Sequence, residues 1–144
     1  MTDSDAGTFA SRHPRCLTCR HTTHQTILQS PKRLYTICDR FTCQSENVVY
    51  SITCRRCGSL YIGETGRRLR ERFGEHLRSI RNNPPGFPVA EHFNSASNSL
   101  NDIMVCGLKR CSGDNTRPKK QEIRLIFELR TLKPNGLNVN FSFV

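Results

Sequence analysis

The feature that most narrows the fold is a pair of β-type runs held one tight turn apart. Val48-Val49-Tyr50-Ser51-Ile52 and Leu60-Tyr61-Ile62-Gly63 are rich in β-branched and aromatic residues, with Cys54-Arg55-Arg56-Cys57-Gly58 between them. Such runs around a short knuckle predict an antiparallel hairpin. Helical spacing follows. Leu69, Phe73, Leu77 and Ile80 form an apolar stripe over Arg67 to about Arg81, and Thr65 is placed to cap it. Gly74 is an unexpected choice inside that helix, costing about 1 kcal/mol relative to Ala. Asn82-Asn83-Pro84-Pro85-Gly86 breaks the helix. A short helix over Val89 to Phe93, a third strand at Ile103-Met104-Val105-Cys106 and a final helix from Pro118 to about Leu132 complete the pattern. Lys133-Pro134-Asn135-Gly136 stops the last helix, leaving an extended tail. The expected class is α+β: a short central antiparallel sheet flanked by helices.

Upstream of the hairpin the composition differs. Residues 1–12 read as a disordered tail and 13–45 as a Cys/His-rich extension, with the main domain over 46–144. Two of the extension's cysteines, Cys16 and Cys19, have C-x-x-C spacing, as do Cys54 and Cys57 in the knuckle. Met1 to Ala10 has no hydrophobic run, so it does not read as a secretory signal. Paired cysteines without such a signal point to metal ligands in a nuclear or other intracellular reducing compartment rather than to a disulfide framework. Near Cys16 and Cys19, the residues His21, His24 and Cys43 are within reach along the chain. Lysine and arginine number 22 against 12 acidic residues, a formal charge of +10. That excess favours a polyanionic partner, nucleic acid before an acidic membrane surface. No stretch is apolar for long enough to span a bilayer, and no membrane partner is expected.

Some residues are placed for chemistry. Arg72 and His76, four apart, share one helix face, where Arg72 offers a planar fork to phosphate oxygens and His76 a proton relay or phosphate contact. Arg67, Arg68, Arg70 and Arg78 make the same helix basic, which by itself describes a solvated face as well as a DNA-binding one. Glu122 is more informative, because it shares a helical stripe with Leu125, Ile126 and Leu129. A carboxylate on a core-facing stripe needs a cation or donors, and Mg²⁺ needs as little as one carboxylate from the protein. The alternative is a helix-start Glu serving the macrodipole. Tyr50 and Tyr61 lie on adjacent strands, where the common use of aromatics is packing.

The ordered blocks carry a resemblance. Tyr61-Ile62-Gly63 on the second strand, Tyr50 on the first, Arg72 and His76 on the helix, Glu122 on the last helix and Asn138 after it resemble the GIY-YIG nuclease family. Val48-Val49 stands where the first signature has Gly-Ile, a β-compatible change. The string from Tyr61 to Leu69, then Glu75-His76-Leu77, Pro88 to Asn94 and the Asn138 to Phe143 tail look like the endonuclease domain of Penelope-like retroelements. The resemblance implies a Mg²⁺- or Mn²⁺-dependent endonuclease that nicks DNA, with Tyr50, Tyr61, Arg72, His76, Glu122 and Asn138 as catalytic residues and Glu122 as the metal ligand. It also implies a Zn²⁺ site of Cys54, Cys57, His92 and a further histidine, where this chain has Asn98. Such elements often accompany a reverse transcriptase, a partner encoded in the same element. This chain reads as a detached C-terminal fragment or a domesticated remnant of one. Two alternatives stand beside the active enzyme: an inactive remnant, and a non-catalytic zinc-knuckle module that binds nucleic acid.

Overall fold

The computed structural model describes residues 6–11, 15–22, 24–30, 32–95, 99–111 and 118–139. Four short strands come first: β1 (Gly7–Phe9), β2 (Ile27–Gln29), β3 (Leu34–Thr36) and β4 (Arg40–Thr42). The hairpin follows as β5 (Val48–Cys54) and β6 (Leu60–Thr65), then helices α1 (Leu69–Asn82) and α2 (Pro88–Phe93). Strand β7 (Ile103–Arg110) and helix α3 (Pro118–Leu129) complete the order. A three-stranded antiparallel sheet in the order β6-β5-β7 forms the centre. Strand β5 lies in the middle, and six of its seven residues are buried. This is the α+β arrangement expected, although β7 runs four residues beyond the expected strand, to Arg110.

Helix α1 departs from expectation at its start and on its buried face. Its N-cap is Arg68, without a side-chain cap. Thr65 does not cap it; the Thr65 hydroxyl accepts the Arg67 N–H at 3.0 Å in the turn before the helix. The first helical amides of Leu69 and Arg70 instead donate to the carbonyls of Ser45 and Cys43, at 2.9 and 2.7 Å. Orphan donors at a helix start must find some acceptor, and backbone from the extension supplies it. The buried stripe is Leu69, Phe73, His76 and Ile80. Leu77 is only half-buried, and His76 occupies the core-facing position beside it.

The extension is built onto the sheet. Gly7–Phe9, inside the segment expected to be a disordered tail, forms β1 and pairs in parallel with β4. Thr8 explains why: its buried hydroxyl accepts the Gly107 N–H of β7 at 2.9 Å. Phe41 of β4 is fully buried with its ring against Gly107, and a Cβ at that glycine would collide with the ring. The aromatic thus keys the extension into the central sheet. Strands β2 and β3 form the second hairpin, over the Leu34-Tyr35-Thr36 alternation seen in the sequence. Helix α3 buries Glu122, Leu125, Ile126 and Leu129, the stripe read from spacing, and its Glu128 pairs with Arg33 of the extension at 3.1 Å. Among the described residues no helix is long and apolar enough to cross a membrane.

Candidate active site

Antiparallel register sets Tyr50 opposite Gly63 and Tyr61 opposite Ile52, so both tyrosines project from one face of the hairpin. A Cβ on Gly63 would lie 2.5 Å from the Tyr50 ring and hydroxyl, so this glycine opens the space in which the phenol lies. The need for glycine here is internal to the hairpin. Helix α1 brings His76 against both rings, with centroid distances of 5.8 Å to Tyr50 and 5.4 Å to Tyr61, edge-on in each case. The Tyr50 hydroxyl and His76 Nε2 are hydrogen-bonded at 2.7 Å.

The two tyrosines are not equivalent. Tyr50 is fully buried, whereas Tyr61 is half-buried and opens onto a small cleft. That cleft, about 70 Å³, is lined by Tyr61, Arg72, His76, Ser79 and the α2 start from Phe87 to Ala90. It has room for a few waters, on the scale of a phosphoryl group rather than a nucleoside. A wider groove of about 700 Å³ lies beside α3 and contains none of these residues. The narrow cleft is the one that Tyr61, Arg72 and His76 line.

Burial sets the protonation states. It pushes the Tyr50 phenol well above its ordinary value, with Tyr61 adding to the rise and Arg72 opposing it. Tyr61 is also raised by burial, again opposed by Arg72. Burial, reinforced by the Arg72 charge, lowers His76 to about 3, so its imidazole is neutral near pH 7. A ring that stays neutral can hydrogen-bond but does not hold a phosphate by charge, which narrows the sequence-based expectation for His76. Arg72 remains charged: burial works against it, but Tyr50, Glu75 and Tyr61 more than compensate. One of its donors goes to Glu75 at 2.8 Å, and Glu75 also accepts from Arg67 at 2.6 Å. Glu75 thus orients the Arg72 fork, a role that sequence reasoning did not assign.

Glu122 projects from the first turns of α3 and is only 6 % exposed. Its Oε1 is buried without a hydrogen-bond partner. The Lys119 ammonium lies 3.5 Å away, in ion-pair range, and reaches Glu64 Oε2 at 3.2 Å. Burial first, then the charge of Glu64, raise the Glu122 carboxyl to about 7 against the pull of Lys119 and Arg72. Glu122 in turn acts electrostatically on both Tyr50 and Tyr61. Glu64 and Lys119 were missed at the sequence level. The available signals were Glu64 directly following Tyr61-Ile62-Gly63 and Lys119 standing one helical turn before Glu122.

Asn138 is placed differently. Its side-chain oxygen accepts from the Ile62 N–H at 2.9 Å and the Thr131 hydroxyl at 2.7 Å, while its amide donates to the Ile62 carbonyl at 2.9 Å. It grips the backbone of β6 between Tyr61 and Gly63 and does not reach the cleft lining.

The remaining expected sites also have locations. In the knuckle, Cys57 Sγ lies 3.4 Å from His92 Nε2 of α2. With the buried Cys54, these ligand atoms fall within 4.8 Å of one another. Asn98 lies outside the described residues. The basic residues divide into two sets. Arg67 and Arg68 are ion-paired with Glu75 and Glu46. Arg70 and Arg78 join Arg15 and Arg81 along a groove of about 400 Å³ between α1 and the extension.

Comparison with known proteins adds one finding. No curated protein and no solved structure matches the chain. Glu122 and Asn138 lie beyond the matched span, but residues 46–105, which carry the hairpin, α1, α2 and the cleft they enclose, match the family model of the GIY-YIG catalytic domain, a nuclease domain.

Proposed function

We propose that the chain is a divalent-metal-dependent endonuclease that nicks DNA by phosphodiester hydrolysis, derived from a retroelement of the Penelope-like type. The observation that carries this reading is the buried, hydrogen-bond-deficient Oε1 of Glu122, acting on the same tyrosines that His76 and Arg72 face. A buried carboxylate oxygen whose neighbouring positive charge is an ammonium 3.5 Å away fits a cation ligand. Glu122 would hold Mg²⁺ or Mn²⁺, and Glu64 is the nearest second carboxylate through their shared Lys119. The ion supplies charge relief at the phosphate and leaving oxygen when bound.

The protein's own groups divide the remaining work. Arg72, oriented by Glu75, donates to non-bridging phosphate oxygens. Tyr61, at the cleft surface, orients the attacking water, and His76, held neutral by burial and the Arg72 charge, lines the cleft beside it as a hydrogen-bonding partner. Tyr50 is a positioning residue that fixes the imbedded imidazole through Nε2. Asn138 holds the β6 backbone that carries Tyr61. Cys54, Cys57 and His92 would hold Zn²⁺ and fasten the knuckle to α2. Arg67, Arg68, Arg70 and Arg78 serve the DNA backbone. A reverse transcriptase from the same element is the proposed partner, and the nucleus or another reducing compartment the proposed location.

The decisive experiment is supercoiled-plasmid nicking with and without Mg²⁺, with DNA affinity measured separately. Wild type nicks only with the ion, and Glu122→Ala and Arg72→Ala abolish cutting. Wild-type cutting rates in Glu122→Ala would reject the metal assignment. The zinc-knuckle module is the second reading, favoured by the Cys54, Cys57 and His92 cluster. DNA binding by a wild type that never cuts would select it.

A further inference from the structure

The extension contains a second convergence of sulfur. Cys16 stands just before a 3-10 turn over Thr18–His21 that includes Cys19, and Cys43 follows β4. Their three Sγ atoms lie within 4.8 Å of one another, with Cys16 and Cys43 only 3.5 Å apart. A disulfide needs about 2.05 Å between sulfurs. Thiolates around a tetrahedral Zn²⁺, at about 2.3 Å from the metal, sit roughly 3.8 Å apart. The observed spacing is that of ligands.

Neighbouring residues sort the possible donors. His21 and His24, both within sequence reach, are not among the ligand atoms that converge on the sulfur group. His21 Nδ1 meets the Ile103 carbonyl at 3.2 Å, and His24 Nε2 meets the Ala6 carbonyl at 2.9 Å while its ring stacks on Phe9. Ser11 is the residue drawn into the sulfur group. Its N–H donates to Cys19 Sγ at 3.1 Å, and its hydroxyl lies 3.3 Å from Cys19 Sγ and 3.2 Å from Cys43 Sγ.

We propose that Cys16, Cys19 and Cys43 form a second Zn²⁺ centre, separate from the knuckle, with an oxygen donor on the Ser11 side in the fourth place. On binding, each thiol releases its proton to solvent and becomes a thiolate ligand. The backbone N–H of Ser11 supports the Cys19 thiolate, as outer-shell donors do.

The location gives the centre a purpose. The Cys43 carbonyl accepts the Arg70 N–H, and the Ser45 carbonyl accepts that of Leu69, so the strand end carrying a ligand also caps α1. Cys16 and Leu17 line the groove that holds Arg70 and Arg78. The strands of the extension are three residues each, and small units of this kind often depend on metal or other staples. Zinc here joins the extension's two ends and sets the start of the helix bearing Arg72 and His76.

The test uses the full chain and zinc alone. Elemental analysis of a Cys54→Ser/Cys57→Ser variant should still find about one zinc per chain, held by the three remaining thiolates. Adding Cys43→Ser should remove it. In wild type, zinc should protect Cys16, Cys19 and Cys43 from alkylation, mapped by peptide mass, and a chelator should expose all three. A folded Cys54→Ser/Cys57→Ser variant without zinc overturns the proposal. So does equal alkylation with and without zinc, or a native mass two hydrogens lighter that maps to a disulfide among these cysteines. If the double variant does not fold, the alkylation map decides. None of these readouts involves cleavage, so the site stands or falls apart from the nuclease reading.

Discussion

The Tyr50 hydroxyl and His76 Nε2 meet at 2.7 Å in a setting almost closed to water, the phenol fully buried and the imidazole 7 % exposed. Each satisfies the other's polar atom, so neither is left unpaired in the core. The pair couples the first hairpin strand to α1 and presents the ring of His76 to the cleft. Tyr50→Phe should therefore cost about 1 kcal/mol of stability. Its kcat for nicking should fall at least about tenfold, the scale of a misplaced active-site group, with KM unchanged. Thermal melts and initial rates check both, and an unaltered kcat would leave the hydrogen bond a purely structural one.

His76 and Glu122 impose opposite pH dependences on folding. His76 has its folded value lowered from 6.5 to about 3. Its contribution is present above 6.5 and lost as pH falls toward 3. Glu122 is raised from 4.5 to about 7, so its contribution is present below 4.5 and lost as pH rises through 7. Between about pH 4.5 and 6.5 the two slopes oppose each other. Without divalent ions, the stability of His76→Gln should fall more steeply with rising pH than that of wild type, while Glu122→Gln should shift toward rising. Denaturant melts across that window measure both slopes, and identical slopes in all three proteins would refute the assignments.

The same proton on Glu122 competes with a cation. Stabilisation by Mg²⁺ should grow from pH 5 to about pH 8 as the carboxyl ionises. Lys119, 3.5 Å from Glu122 Oε1, holds part of the space a cation would use. Lys119→Gln should tighten Mg²⁺ binding at pH 8, read by calorimetry, and weaker binding would show that Lys119 assists the site.

Two glycines should respond in opposite senses to alanine. At Gly63 the added methyl meets the Tyr50 ring at 2.5 Å, and such overpacking costs about 1–3 kcal/mol. At Gly74 the nearest atom is the Arg78 Nη1 end at 3.7 Å, an ordinary contact. Gly74→Ala should stabilise by about 1 kcal/mol from helix propensity. Melting temperatures of the two variants provide the comparison.

The arginine groove makes a quantitative claim about DNA. Arg70 and Arg78 line it together with Arg15 and Arg81. If each contacts a phosphate, replacing either with Gln should reduce the slope of log affinity against log salt by about 0.9. Fluorescence anisotropy across a salt series measures this, and an unchanged slope would place the DNA elsewhere.

The central hairpin, α1, α2 and α3 were legible because each rests on local periodicity and local punctuation, from the β-type runs to Pro118. The stripe carrying Glu122 was readable for the same reason. Information supplied by distant chain was not readable. The cap of α1 comes from Cys43 and Ser45 rather than Thr65, and β1 is ordered because Thr8 meets Gly107 across the fold. Spacing put Leu77 on the apolar stripe and His76 with Arg72, whereas His76 is the more buried of the two. The Tyr50 hydroxyl explains how a histidine can occupy the buried position. Glu64, Glu75 and Lys119 belong to the site through ion pairs, whose geometry a linear sequence does not specify.

Strand β6 lies at one margin of the central sheet, and the grip of Asn138 on Ile62, continued by the Leu137 N–H to the Leu60 carbonyl at 2.9 Å, occupies that margin. An uncovered strand with open amides and carbonyls is a template for pairing with another chain. The segment after α3 therefore also acts as a guard against self-association. Asn138→Ala should free backbone groups of a strand that carries Tyr61 and Ile62, and the harm should grow with protein concentration, as oligomers and aggregates rather than as a slower enzyme.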